Sequence, residues 1–108
     1  VHVDVAIVGG GITGITAAYL LKQAGKRVAV IEAHRVGAGV TGETTAHISA
    51  LLDTRYYNIE SDFGKDGAKL AAQSQNEAIE QIAHIVRDLQ IDCDFIRVPV
   101  YRAAAGSR

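Results

Sequence analysis

Gly9, Gly11 and Gly14 stand at the spacing G-x-G-x-x-G, and a carboxylate, Glu32, follows 18 residues after the last of them. An apolar run, Val5-Ala6-Ile7-Val8, leads into the glycines, and a second, Val28-Ala29-Val30-Ile31, leads into the acid. Each residue type has a chemical consequence. Gly9 permits a tight turn off a strand, Gly11 has no Cβ to keep a pyrophosphate from the backbone, and Gly14 lets a helix lie close to a sheet. A helix starting at Ile12 and Thr13 would turn unpaired N–H groups and a partial positive charge toward phosphates. Glu32 lies near the usual offset of about 20 residues for an acid that binds a ribose hydroxyl. Such a carboxylate accepts hydrogen bonds from a ribose diol and repels a 2′-phosphate, which disfavours NADP; nearby Arg35 softens that repulsion. FAD and NAD both satisfy the pattern. The bland alternative is a glycine turn in a βαβ unit that binds nothing, and the flanking apolar runs and the placed acid argue against it.

These residues need elements to position them. Ile12 to Ala24 contains no proline and carries Ile12, Ile15, Ala18 and Leu21 at helical spacing, with Gly25 where a C-terminal glycine belongs. After Glu32 a glycine loop, Arg35 to Gly42, passes into a stretch expected to be helix-like, Thr44 to Leu52. Residues 55–91 read as helical, with a short helix to Phe63 and a long one from about Lys65. Ala68, Ala72, Ile79, Ile82, Ala83, Val86 and Leu89 would lie near one face. Asp94 to Val100 reads as a strand interrupted by Pro99. The fold class is α/β, the N-terminal part of a Rossmann-like FAD/NAD(P)-binding domain with a βαβ opening and additional helices. Residues 1–54 would hold the βαβ unit and the second loop; residues 55–108 would form a helical extension and a strand. Two or three strands leave an exposed sheet edge and an incompletely covered core. The expectation is therefore an incomplete domain at the start of a larger enzyme.

Composition narrows the function classes. The 108 residues are 48% hydrophobic and 21% charged, with a net charge of −1, so no electrostatic argument favours nucleic acid. The single Cys93 excludes an intrachain disulfide framework and a multi-cysteine metal site. No metal site is expected. Val5 to Leu21 is uncharged, but it carries four glycines, lacks a basic leader and falls short of the roughly 20 apolar residues a membrane span needs. It reads as a strand and a packed helix. A reducing cytoplasm suits this cysteine usage. The absence of methionine points to a processed, trimmed or engineered N-terminus, and the run Ala103 to Arg108 is small and polar.

The stretch Gly37-Ala38-Gly39-Val40-Thr41-Gly42-Glu43-Thr44-Thr45-Ala46-His47-Ile48-Ser49 bears on the choice of cofactor. A small-residue loop running into a helix start rich in hydroxyls is a second anion-binding construction. It suits a cofactor whose pyrophosphate is gripped from two sides. With these residues the chain resembles the FAD-dependent oxidoreductases of the D-amino-acid oxidase, glycine oxidase and sarcosine oxidase type. The runs Thr44-Thr45-Ala46-His47, Asp53-Thr54-Arg55-Tyr56-Tyr57 and Asp92-Cys93-Asp94-Phe95 resemble a narrower bacterial group. In that group a C-terminal Rieske iron–sulfur domain often follows the flavin domain.

The resemblance implies FAD as cofactor and oxidation of a C–N bond of an amine or amino acid, with substrate residues on a second domain. It implies that Gly9, Gly11, Ile12, Thr13 and Gly14 hold the pyrophosphate. Glu32 would bind the adenosine ribose, with Ala33 and Arg35 on the adenine side. Thr41, Gly42 and Thr45 would assist the phosphates and ribityl chain, and the backbones of Ala46, His47 and Ile48 would sit near the flavin ring. In some dimethylglycine- and sarcosine-oxidising relatives a histidine in this context is bonded to the flavin, which offers His47 two roles, contact or attachment.

Other residues carry less. Tyr56 and Tyr57 are candidates for the substrate side, and the preferred expectation is that at least one packs between helices with its hydroxyl reaching water. Asp92 and Asp94 disfavour a thiolate at Cys93. Glu80 and His84 are spaced for an exposed side-chain pair. Two other functions stay open at this level: an NAD-dependent dehydrogenase domain, which leaves residues 41–48 without a role, and a non-catalytic nucleotide-binding or interaction fragment, which leaves the pairing of Glu32 with two glycine loops unexplained.

Overall fold

The computed structural model describes residues 2–101. The terminal run 103–108 lies outside them. The chain divides into two compact units, with the boundary between His47 and Ile48.

The first unit is a β–α–β motif. Strands β1 (Val5–Val8) and β2 (Val28–Ile31) pair in parallel, and helix α1 (Ile12–Gln23) connects them. The β-branched runs favour the extended pairing, and the crossover helix is what a parallel pair requires. The register sets Val5 against Val28 and Val8 against Ile31. It is clamped at one end by Asp4 and Arg27. The Arg27 guanidinium donates to Asp4 Oδ1 at 2.9 Å, and its backbone N–H donates to Asp4 Oδ2 at 2.8 Å. That guanidinium holds the Asp4 carboxyl below its usual pKa. Helix α1 ends as the sequence predicts. Gly25 adopts φ 78°, its N–H donates to Lys22 O at 3.0 Å, and the Lys26 N–H donates to Leu21 O at 3.0 Å. This is a Schellman closure of the last carbonyls. As a two-stranded sheet implies, cover is incomplete: no apolar side chain among the described residues is fully buried, and Val8 is 85% exposed.

Beyond β2 a short helix, α2, spans Val40–Glu43. The helix expected over Thr44 to Leu52 is absent; that stretch is irregular. The hydroxyls make local bonds that compete with a helix. Thr44 Oγ1 accepts from the Ala46 N–H at 3.3 Å, Ser49 Oγ accepts from the Leu51 N–H at 3.0 Å, and Ala46 sits at φ 57°.

The second unit is built on α3 (Tyr56–Asp88), two helices joined across a kink at Gly64, where φ is 75°. The break falls between Phe63 and Lys65, as the sequence predicts. Of the apolar face, Ala68, Ala72, Ile79, Ile82, Ala83 and Val86 are half-buried, while Leu89 is exposed. Asp94 to Val100, expected as a strand, is irregular. A strand exists only with a hydrogen-bonded neighbour, and among the described residues none runs beside it. Asp94 turns the chain at φ 51°, Pro99 has no N–H, and Arg97 is tied to the helix by Glu80 at 2.8 and 2.9 Å. Glu80 therefore pairs with Arg97 and not with His84, whose ring approaches Arg87 at 2.9 Å and Asp88 at 3.6 Å. The Tyr56 hydroxyl donates to Ala50 O at 2.7 Å, so it meets backbone where water was expected.

Candidate functional site

The parallel register makes the site. Val8 and Ile31 are partners, so the residues that follow them, Gly9-Gly10 and Glu32, emerge side by side beyond the carboxyl ends of the strands. In open α/β sheets that edge is where ligands bind. The Gly9 N–H donates to Ile31 O at 2.8 Å and carries the ladder one residue further. Gly9 then turns at φ 105°, a conformation that L side chains rarely adopt, and directs the chain into α1. Gly14, on the first turn of the helix, faces back onto that turn. A Cβ at Gly14 would collide with the Gly9 carbonyl oxygen. This is the close helix-to-sheet packing expected of the third glycine.

The start of α1 is open to an anion. Its N-cap is Gly11, which offers no side-chain cap. The second loop supplies one: Thr41 Oγ1 accepts from the Ile12 N–H at 3.1 Å. The next two donors, the N–H groups of Thr13 and Gly14, precede the bond that opens the helical ladder, Ile15 N–H to Gly11 O at 3.0 Å. A Cβ at Gly11 would stand 3.2 Å from the Thr41 hydroxyl, in the space between the two loops. That space is the cradle a Cβ would fill, and the donor set around it suits a pyrophosphate.

Glu32 is held on both carboxylate oxygens. Oε2 accepts from the Gly10 N–H at 2.7 Å and Oε1 from the His34 N–H at 2.9 Å. These backbone donors, His34 first and then Gly10, lower its pKa below the ordinary glutamate value. The group is thus a fixed anion with lone pairs left over for two ribose hydroxyls. Ala33 and Arg35 follow on the exposed side of the same turn.

The second loop is attached to the first at two points. Besides Thr41, the Gly37 N–H donates to Gly10 O at 2.9 Å. Gly37 and Gly39 take φ 77° and 72°, and a Cβ at Gly42 would stand 2.9 Å from Gly37 O. Thr45 and His47 lie further along and are exposed, with Thr45 Oγ1 3.3 Å from His47 Nδ1. Ile48 is an exposed residue of the second unit. The structure thus brings together Gly9, Gly11, Ile12, Thr13, Gly14, Glu32, Thr41 and Gly42. It leaves Ala33, Arg35, Thr45, Ala46 and His47 on the exposed flank of the first unit.

Sequence reasoning missed Gly10. It is the one fully buried residue among those described, and it touches the acid, the turn and the second loop. The available signal was three consecutive glycines where the fingerprint needs two.

A parallel βαβ unit with a glycine turn, an open helix start and an anchored acid is the class of a dinucleotide-binding α/β protein. The comparisons with known proteins specify it further. The family model described as "FAD dependent oxidoreductase" matches residues 4–108, and the chain belongs to that family. The family's cofactor is FAD, which decides against the NAD-dependent dehydrogenase reading. The chain is 45% identical over 103 residues to the "Putative Rieske 2Fe-2S iron-sulfur protein YhfW" of Bacillus subtilis (strain 168), covering 95% of this chain and 20% of that protein. It is 36% identical over 92 residues to the "Gamma-glutamylputrescine oxidoreductase" of Escherichia coli (strain K12), covering 85% of this chain and 22% of that protein. The chain therefore spans about a fifth of the length of these relatives. No solved structure matches it. Among the described residues no helix is long and apolar enough to cross a membrane.

Proposed function

We propose that this chain forms the first, adenosine- and pyrophosphate-binding part of a Rossmann-like FAD domain. The whole protein would be a cytoplasmic oxidoreductase that oxidises a C–N bond of an amine or amino acid. The observation that carries the reading is the convergence of two backbone anchors at one sheet edge: Gly10 N–H on Glu32 at 2.7 Å and Ile12 N–H on Thr41 at 3.1 Å. Together they set an acid for a ribose beside an open helix start for phosphates.

In this reading Gly9, Gly11, Ile12, Thr13 and Gly14 surround the pyrophosphate. Thr13 and Gly14 contribute backbone N–H groups, and Gly11 contributes the absence of a side chain. Glu32 binds the ribose diol, with Ala33 and Arg35 beside the adenine. Thr41, Gly42 and Thr45 continue along the phosphates and ribityl chain, and Ala46, His47 and Ile48 approach the ring. Bound FAD would supply the redox chemistry; the residues of this chain would bind and orient it. Residues 1–54 and 55–108 would be two parts of that one incomplete domain, with substrate residues on another. The name of the E. coli relative supports an amine substrate, and that of the B. subtilis relative supports a Rieske domain in the longer protein.

The test is an absorbance spectrum of the purified longer protein before and after acid precipitation. A flavin spectrum that moves to the supernatant supports FAD binding with His47 as a contact. A yellow pellet supports FAD with His47 as its point of attachment. A protein that takes up NAD and no FAD on reconstitution overturns the reading.

A further inference from the structure

Gly10 occupies a variable position of the G-x-G-x-x-G pattern, so the fingerprint assigns it no task. Its backbone does not require glycine, because its φ lies outside the left-handed region that Gly9 occupies. Its surroundings do. A Cβ at Gly10 would stand 3.2 Å from Glu32 Oε2, 3.3 Å from Glu32 Cβ and 3.2 Å from Val36 Cγ2. At those distances a neighbour must shift, and the Glu32 carboxylate is the end of a side chain that can. A displacement of a few tenths of an ångström there lengthens the 2.7 Å bond from the Gly10 N–H and moves the carboxylate off its position. The other side of the residue is committed as well, since Gly10 O accepts from the Gly37 N–H at 2.9 Å. One buried peptide segment thus joins the acid at the end of β2 to the second glycine loop.

We infer that Gly10 is a positioning residue for the adenosine end of the cofactor: its N–H and its missing side chain fix the Glu32 carboxylate where it meets the ribose. The inference rests on the ribose role of Glu32 given above. Gly10 touches no cofactor atom in this account and acts through Glu32.

A mutant cycle on the longer protein tests it, read as FAD affinity of the apoprotein by quenching of flavin fluorescence. The variants are G10A, E32A and G10A/E32A, with G10A/V36A to remove the second neighbour. E32A is expected to weaken FAD about tenfold or more, the size of a lost hydrogen bond to a charged group. G10A is expected to weaken it severalfold in the wild-type background and by less than about twofold in the E32A background, the non-additivity of groups acting through one another. Adding V36A should not restore the loss. The melting temperature of apo-G10A separates misplacement of Glu32 from misfolding, and it should stay near the wild-type value. Equal losses from G10A in both backgrounds, or rescue by V36A, overturn the inference and leave the ribose reading standing. An E32A variant that binds FAD like wild type overturns both.

Discussion

The hydroxyl oxygen of Thr41 lies 3.1 Å from the backbone nitrogen of Ile12, 29 residues away in sequence. A residue of the second glycine loop thereby caps a helix whose own N-cap, Gly11, has no side chain to do so. The helix start needs some oxygen for its first N–H. Supplying it from another loop ties that loop to the start of α1 and leaves Gly11 without a side chain there.

Thr41→Val keeps the shape and removes the acceptor. Loss of a cap of this kind costs about 1 kcal/mol. The melting temperature of the apoprotein should fall by a few degrees, and Thr41→Ser should retain it. Thermal unfolding followed by circular dichroism distinguishes the two.

Gly11→Val and Gly14→Ala should separate binding from folding. The Gly11 side faces the space between the loops, with Thr41 Oγ1 as the near neighbour, so the valine should abolish FAD uptake with a smaller effect on folding. The Gly14 side faces backbone, which cannot move aside as a side chain can. Gly14→Ala should cost about 3 kcal/mol, the upper end of overpacking penalties, and lower the yield of folded protein. FAD retention in Gly11→Val would overturn the placement of the phosphates.

The Glu32 carboxyl has its pKa lowered in the folded protein by the N–H groups of His34 and Gly10. A depressed acid contributes stability above its unfolded value, about 4.3 for glutamate, and loses that contribution as pH falls through the folded value. The difference in melting temperature between wild type and Glu32→Gln should therefore be greatest at neutral pH. It should shrink as pH drops below about 4. A difference that is constant with pH would mean that the carboxylate is not held by these donors.

Helix α3 ends with the same closure as α1 but with glutamine at the left-handed position. Gln90 sits at φ 51°, with its N–H on Arg87 O at 3.1 Å and the Ile91 N–H on Val86 O at 2.9 Å. Glycine accepts that conformation without a Cβ penalty of about 1 kcal/mol. Gln90→Gly should raise the melting temperature, and Gln90→Val, a β-branched residue, should lower it.

Much of the βαβ unit was legible in the residues because its determinants are local. Alternation of apolar runs with glycines predicts β1, α1 and β2, and a glycine after a helical run predicts its end at Gly25. The kink at Gly64 was legible for the same reason. The errors fall where structure depends on partners. Thr44 to Leu52 has helical composition, yet hydroxyl-to-backbone bonds at Thr44 and Ser49 hold it irregular. Asp94 to Val100 has strand composition, but composition does not supply a neighbouring strand, and its Arg97 is taken by Glu80.

The candidate site divides in the same way. The sequence by itself determined the glycine spacing, the acid at the end of the second apolar run and the small-residue loop beyond it, because turn conformation and strand propensity are properties of neighbouring residues. Only the tertiary structure decided that Glu32 is gripped by Gly10 and His34, that Thr41 caps Ile12, and that Gly10 ties both loops together. The Gly10–Glu32 contact follows from the parallel register of β1 and β2, which pairs residues such as Val8 and Ile31 and so leaves Gly10 and Glu32, 22 positions apart, side by side beyond the strands. Register is a relation between two strands, fixed by pairing and by the Asp4–Arg27 clamp, and neither strand's residues state it alone.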